Sequence, residues 1–174
     1  MKIKNIIEED FVNYFKPSMF ILFNKCSFKC DKEAGCTICQ NSILAHEPDI
    51  KIDYSTIVDR YINNPITKAI VFGVLEPFDT PEAMLRLIEH FRRETQDDIV
   101  IYTVYTEEEL SDKLLYMKKT DEYLTTQGRP PIYNNIIIKY GRFIPNQEKH
   151  YDEVLGVELA SPNQYARRIS YWLK

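Results

Sequence analysis

Residues 18–41 read SMFILFNKCSFKCDKEAGCTICQN, and this stretch decides the fold. It opens with a continuous apolar run, Met19-Phe20-Ile21-Leu22-Phe23, and passes directly into a polar loop holding all four cysteines of the chain. An apolar run without in/out alternation suits a strand covered on both faces, as in a parallel sheet. Three further runs have the same character: Ala69-Ile70-Val71-Phe72, Ile99-Val100-Ile101-Tyr102 and Ile136-Ile137-Ile138.

Helix signals separate these runs. Thr80 before Pro81 has the form of an N-cap followed by a first-turn proline, with Met84, Leu87, Ile88 and Phe91 on one face behind it. Thr106 followed by Glu107-Glu108-Glu109 forms a capping box leading to Leu110, Leu114 and Met117, and its acids suit a helix N-terminus. Residues 54–61 read as another helix, and Ser161-Pro162-Asn163-Gln164 predicts a last helix through Trp172. The βα alternation implies an α/β fold with a parallel sheet, open or closed into an incomplete barrel. Ligands of such sheets bind beyond the carboxyl ends of the strands, here just after Phe23, Phe72, Tyr102 and Lys139.

The chain has 174 residues, 44% of them hydrophobic and 28% charged, and is read as a single domain over 1–174. A net charge of -4 and the lack of a long basic run argue against a nucleic-acid binder. Arg92-Arg93 and Arg167-Arg168 are read as solvated faces of helices. No segment approaches the ~20 apolar residues of a membrane span, and the acidic start does not suit a secretory signal. A cytoplasmic location is therefore expected, where cysteines serve as ligands or reactive groups more often than as disulfides.

The cysteine spacing is C-x3-C-x5-C-x2-C, over Cys26, Cys30, Cys36 and Cys39. Asp31, Lys32, Glu33 and Gly35 make the loop, residues 24–41, unfit for a core, so metal binding is the inference. Thiolates suit tetrahedral zinc and iron–sulfur clusters alike. Placement after the first parallel strand favours a reaction centre over a structural zinc. His46, His90 and His150 are single and separated, and Asp79 reads as a turn residue.

Cys26 with Lys29-Cys30 resembles the C-x3-C start of the radical S-adenosylmethionine cluster loop, and Ile38-Cys39 resembles its end. Cys39-Gln40-Asn41 is similar to the cysteine-aromatic-asparagine of anaerobic ribonucleotide reductase activating proteins. Further along, Phe72-Gly73-Val74-Leu75-Glu76-Pro77 resembles the family's Gly-Gly-Glu-Pro segment, and Tyr102-Thr103-Val104-Tyr105 its Tyr-Thr-Gly-Tyr. Tyr140-Gly141-Arg142-Phe143 resembles its Gly-Arg-Phe, and Ser161 to Gln164 its Ser-x-Asn-Gln. The ordered matches span residues 18–165.

The resemblance implies an incomplete parallel β/α barrel of the radical S-adenosylmethionine type. It implies a 4Fe-4S cluster with one open iron, which binds S-adenosylmethionine and cleaves it to a 5'-deoxyadenosyl radical. Cys26, Cys30 and Cys39 are then the leading ligands and Cys26, Cys36 and Cys39 the rival set, with the remaining cysteine spare or a fourth ligand. Gly73 would begin the stretch binding the methionine amino group, supported by Glu76 and Pro77. Ile38 would pack on adenine, Thr103 would face the nucleoside, and Asn41 would steady the loop. The implied partners are a glycyl radical enzyme as protein substrate and an electron donor such as flavodoxin or ferredoxin. Val74 and Val104 stand where the family has glycine, which serves close backbone approach or positive φ. Two other readings stay open: a non-catalytic zinc-stapled module, and a fully ligated cluster with an electron-transfer or regulatory role.

Overall fold

The computed structural model describes residues 1–169. β1 (Lys2–Ile3) and β2 (Asn5–Asp10) come first, and the first apolar run forms β3 (Ser18–Leu22). The cysteine loop carries α1 (Lys29–Ala34) and leads to α2 (Ser42–His46). β4 (Ile50–Lys51), which pairs with β1, and α3 (Tyr54–Ile62) then lead to β5 (Ala69–Gly73). Next come α4 (Pro81–Glu94), β6 (Asp98–Tyr102), α5 (Ser111–Thr126) and β7 (Ile136–Tyr140). The hairpin β8 (His150–Asp152) and β9 (Val157–Leu159) precedes a final strand, β10 (Tyr165–Arg168).

The six-stranded sheet has the order β10-β7-β6-β5-β3-β2. Its four central strands, the four apolar runs, are parallel, and the two outer strands are antiparallel to them. The register aligns Ile21, Phe72, Ile101 and Ile138 in one row, and Phe20, Val71, Val100 and Ile137 in the row facing the other way. The first row packs against α3, α4 and α5 through Ile57, Met84, Leu87, Phe91, Leu114 and Met117. The second packs against Tyr14, Leu155, Leu159 and Ala166. Both faces are covered, which is why the runs show no alternation. All three crossover helices lie on one face, so the other face is left to the chain's loops and the hairpin. The result is a mixed α/β fold with a mostly parallel central sheet. Among the described residues, no helix is long and apolar enough to cross a membrane.

Three local expectations are corrected. The last helix does not form: 161–164 is a turn and 165–168 is a strand, while Trp172 falls outside the described residues. The edge of β7 needs a partner, and this tertiary demand overrides the cap signal. The capping box does form, with Thr106 N to Glu109 Oε2 at 2.9 Å and Glu109 N to Thr106 Oγ1 at 3.2 Å. It closes a turn over 107–110, however, and the helix begins only at Ser111. Finally, Arg92 is buried, donating to the carbonyls of Ile132, Asp97 and Asn134, and Arg168 lies on a strand, paired with Asp98 at 2.6 Å.

Candidate metal centre and cofactor cavity

The cysteine loop leaves the sheet at the carboxyl end of β3. Phe23 N donates to Gly73 O at 3.0 Å, and Glu76 N to Lys25 O at 2.7 Å, so the loops after β3 and β5 run side by side. Phe28 takes a left-handed φ of 54°, and its N–H donates to Cys26 Sγ at 3.3 Å. The residues between Cys30 and Cys36 complete the short helix α1, which Gly35 closes at φ 68°. Asp31 then draws the chain back, its Oδ1 accepting from Ile38 N at 2.9 Å and Cys39 N at 2.8 Å. The expanded spacing thus returns Cys39 to the neighbourhood of Cys26 and Cys30.

A cavity of about 440 Å³ opens at this point. Cys26, Cys30 and Cys39 line it, whereas exposed Cys36 does not. Burial pushes the Cys26 thiol up to about 11, opposed by the Phe28 amide, and raises the Cys30 thiol as well. Such thiols keep their protons until a metal displaces them. No three His, Cys, Asp or Glu side chains among the described residues converge closely enough to hold a single ion. Three thiols lining one cavity fit the donor set of an iron–sulfur cluster.

The other expected residues divide into two groups. Asn41, Glu76 and Thr103 line the cavity; Gly73, Pro77 and Ile38 do not. Asn41 Nδ2 donates to Val74 O at 3.1 Å, tying the cysteine loop to the loop after β5. Buried Glu76 accepts from Phe78 N, Thr103 Oγ1 and Val104 N at 2.8–2.9 Å, so its carboxylate ties the loop after β5 to that after β6. Burial pushes Glu76 up to about 7. Pro77 opens the 3-10 turn over Pro77–Asp79. A Cβ on Gly73 would stand 3.1 Å from Tyr102 Cβ and 3.2 Å from Phe20 Cε2, so this glycine serves close packing between strands. The two valines differ: Val74 sits at φ 74°, a region costly for a β-branched residue, while Val104 has no positive φ.

Several further residues build the site in roles that the sequence reading did not give them. Asp79 accepts from Ser27 N at 2.5 Å and from Tyr105 Oη at 2.6 Å, bracing the start of the cysteine loop. Arg142 forks onto Glu109 at 2.7 and 2.9 Å, and its Nε lies 2.6 Å from Glu33 on α1. Glu109, held well below the usual carboxylate range chiefly by Arg142, also pairs with Lys29 at 2.7 Å. The acid run after Thr106 therefore braces the cysteine loop as well as closing a turn. Gln164 lines the cavity, its Oε1 accepting from Ala160 N at 3.1 Å. Lys139 also lines it, and a lone charge at the end of an apolar strand was the available clue.

No curated protein and no solved structure matches this chain. The profile of a family described as "4Fe-4S single cluster domain", found in radical S-adenosylmethionine-related proteins, matches residues 18–149, from β3 to the segment before β8, and the chain belongs to that family.

Proposed function

We propose that the chain reductively cleaves S-adenosylmethionine and passes the resulting radical to a glycine of a glycyl radical enzyme such as anaerobic ribonucleotide reductase. The observation that carries this reading is the cavity wall: three cysteines line it and the fourth does not. Cys26, Cys30 and Cys39 would hold three irons, leaving one corner of the cluster to the ligand. The chemistry supplied there is one-electron cleavage of the sulfonium to methionine and a 5'-deoxyadenosyl radical. Val74 to Glu76 and Thr103 to Val104 form the wall against which the ligand would lie, at the strand ends where α/β sheets bind ligands. The cavity volume lies within the ~300–1,000 Å³ of small-molecule sites. One-sided winding of the four parallel strands supports an incomplete barrel. The inner face is filled by Tyr14, Leu155 and Leu159, so a substrate segment would enter at the strand ends, beside Val12 and Val157. Flavodoxin or ferredoxin is the proposed electron donor.

A second reading has an observation in its favour. Val74 places a branched side chain at the cavity where the resembling motif has glycine, which suits a fully ligated cluster with an electron-transfer or regulatory role. Anaerobic reconstitution followed by electron paramagnetic resonance of the reduced cluster, with and without S-adenosylmethionine, decides between them. A changed signal with release of 5'-deoxyadenosine supports cleavage. An unchanged signal without that product overturns it in favour of the second reading.

A further inference from the structure

Among the described residues Lys139 is the one cation lining the cavity, and the proposed chemistry gives it no task. It is 6% exposed, and among the described residues its Nζ has a single hydrogen bond, to Gly141 O at 3.1 Å. Tyr102 presents its ring at 5.8 Å. Lys139 takes part in none of the ion pairs formed among the described residues. Glu76, the carboxylate nearest in effect, already spends both oxygens on Phe78, Thr103 and Val104. A dehydrated ammonium without an anion is strongly disfavoured. Cys30 lines the same cavity as Lys139, and it is the remaining group that acts on the lysine's charge. As a protonated thiol, Cys30 offers no counter-charge; as a cluster ligand it is an anion, and three thiolates leave the cluster site net negative. One-electron reduction, supplied by an external donor, adds a further negative charge.

We infer that Lys139 is the built-in counter-charge of the cluster, and that it makes the site easier to reduce. The inference rests on the family's cluster and the geometry of Lys139, and does not require that S-adenosylmethionine binds. Net charge is among the determinants of cluster potential, and a unit charge at a buried site is screened less than one in water. Lys139 acts through the cluster and is a positioning residue for charge.

The test uses the full chain, reconstituted anaerobically without S-adenosylmethionine and titrated with dithionite under paramagnetic resonance. Lys139→Met removes the charge at nearly constant volume, Lys139→Arg keeps it, and Lys32→Met on the exposed face of α1 is the control. At the potential that half-reduces the wild type, Lys139→Met should show a reduced-to-oxidised ratio at least tenfold lower, about 59 mV for a one-electron couple. The other two should stay within twofold. A second measurement covers loss of the cluster: without iron, Lys139→Met should unfold at higher urea than the wild type, since it deletes an unpaired buried charge. A loaded Lys139→Met within twofold of the wild type overturns the inference. So does an iron-free Lys139→Met that is less stable than the wild type.

Discussion

Val74 and Val104 allow a controlled measurement of backbone strain at the cavity. Both are half-buried, both line the cavity, and only Val74 is left-handed, at φ 74°. Replacing either by glycine forfeits about 1 kcal/mol of half-buried side chain. It also adds about 0.5–1 kcal/mol of unfolded-chain freedom. Val104→Gly should therefore cost roughly 1.5–2 kcal/mol. Val74→Gly incurs the same losses but recovers about 1–2 kcal/mol of left-handed strain, so its net cost should fall near zero. In urea, with a slope of about 2 kcal/mol/M, the two midpoints should lie roughly 0.5–1 M apart, Val74→Gly being the more stable. The assay is equilibrium unfolding of the iron-free chain, with the slope checked for constancy. Equal losses, or a larger loss at Val74, would refute the reasoning.

Other outcomes follow from the same geometry. Iron and sulfide content after reconstitution should survive Cys36→Ala and collapse in Cys26→Ala, Cys30→Ala and Cys39→Ala; a milder Cys30→Ala would replace the ligand set. Burial raises Glu76 from 4.5 to about 7, so the folded state binds its proton more tightly than the unfolded state does. Its stabilising contribution is complete below the lower value and is lost as pH rises to the upper one, by roughly 3 kcal/mol. Urea midpoints of the iron-free chain across that window should fall, and Glu76→Gln should flatten the fall. Gly141 has φ 98°, and a Cβ there would stand 2.5 Å from Asn163 O, so Gly141→Ala should cost about 2–3 kcal/mol in thermal unfolding.

The central sheet was legible because its four strands are apolar throughout, a pattern that only burial on both faces explains. The outer strands were not. β2 reads NIIEED and β10 reads YARR, and their strand character comes from pairing with β3 and β7. The 161–164 segment illustrates how a local signal can mislead. Its Gln164 side chain does satisfy a backbone amide, but that of Ala160, in a turn beside the cavity. The cysteine loop was legible as a metal site because four thiols in a polar segment have few other uses. The three that line the cavity are the leading set that the family resemblance implied, but spacing alone did not single them out, since this depends on Asp31 folding the chain back across α1. The braces through Asp79, Glu109 and Arg142 join residues 26 or more positions apart, beyond the reach of any local pattern.

The pairing of β10 with β7 also covers an edge open to intermolecular strand addition. Without it, the backbone of Ile136-Ile137-Ile138 would present an open row of amides and carbonyls, a template for stacking against other chains. In its place the flank offers Arg167, exposed and partnered by Glu107 at 3.0 Å, and cationic side chains at such a border discourage further strand addition. Cutting the chain ahead of residue 165 should therefore raise its tendency to form fibrils relative to the full chain, with the cysteine loop itself uncut.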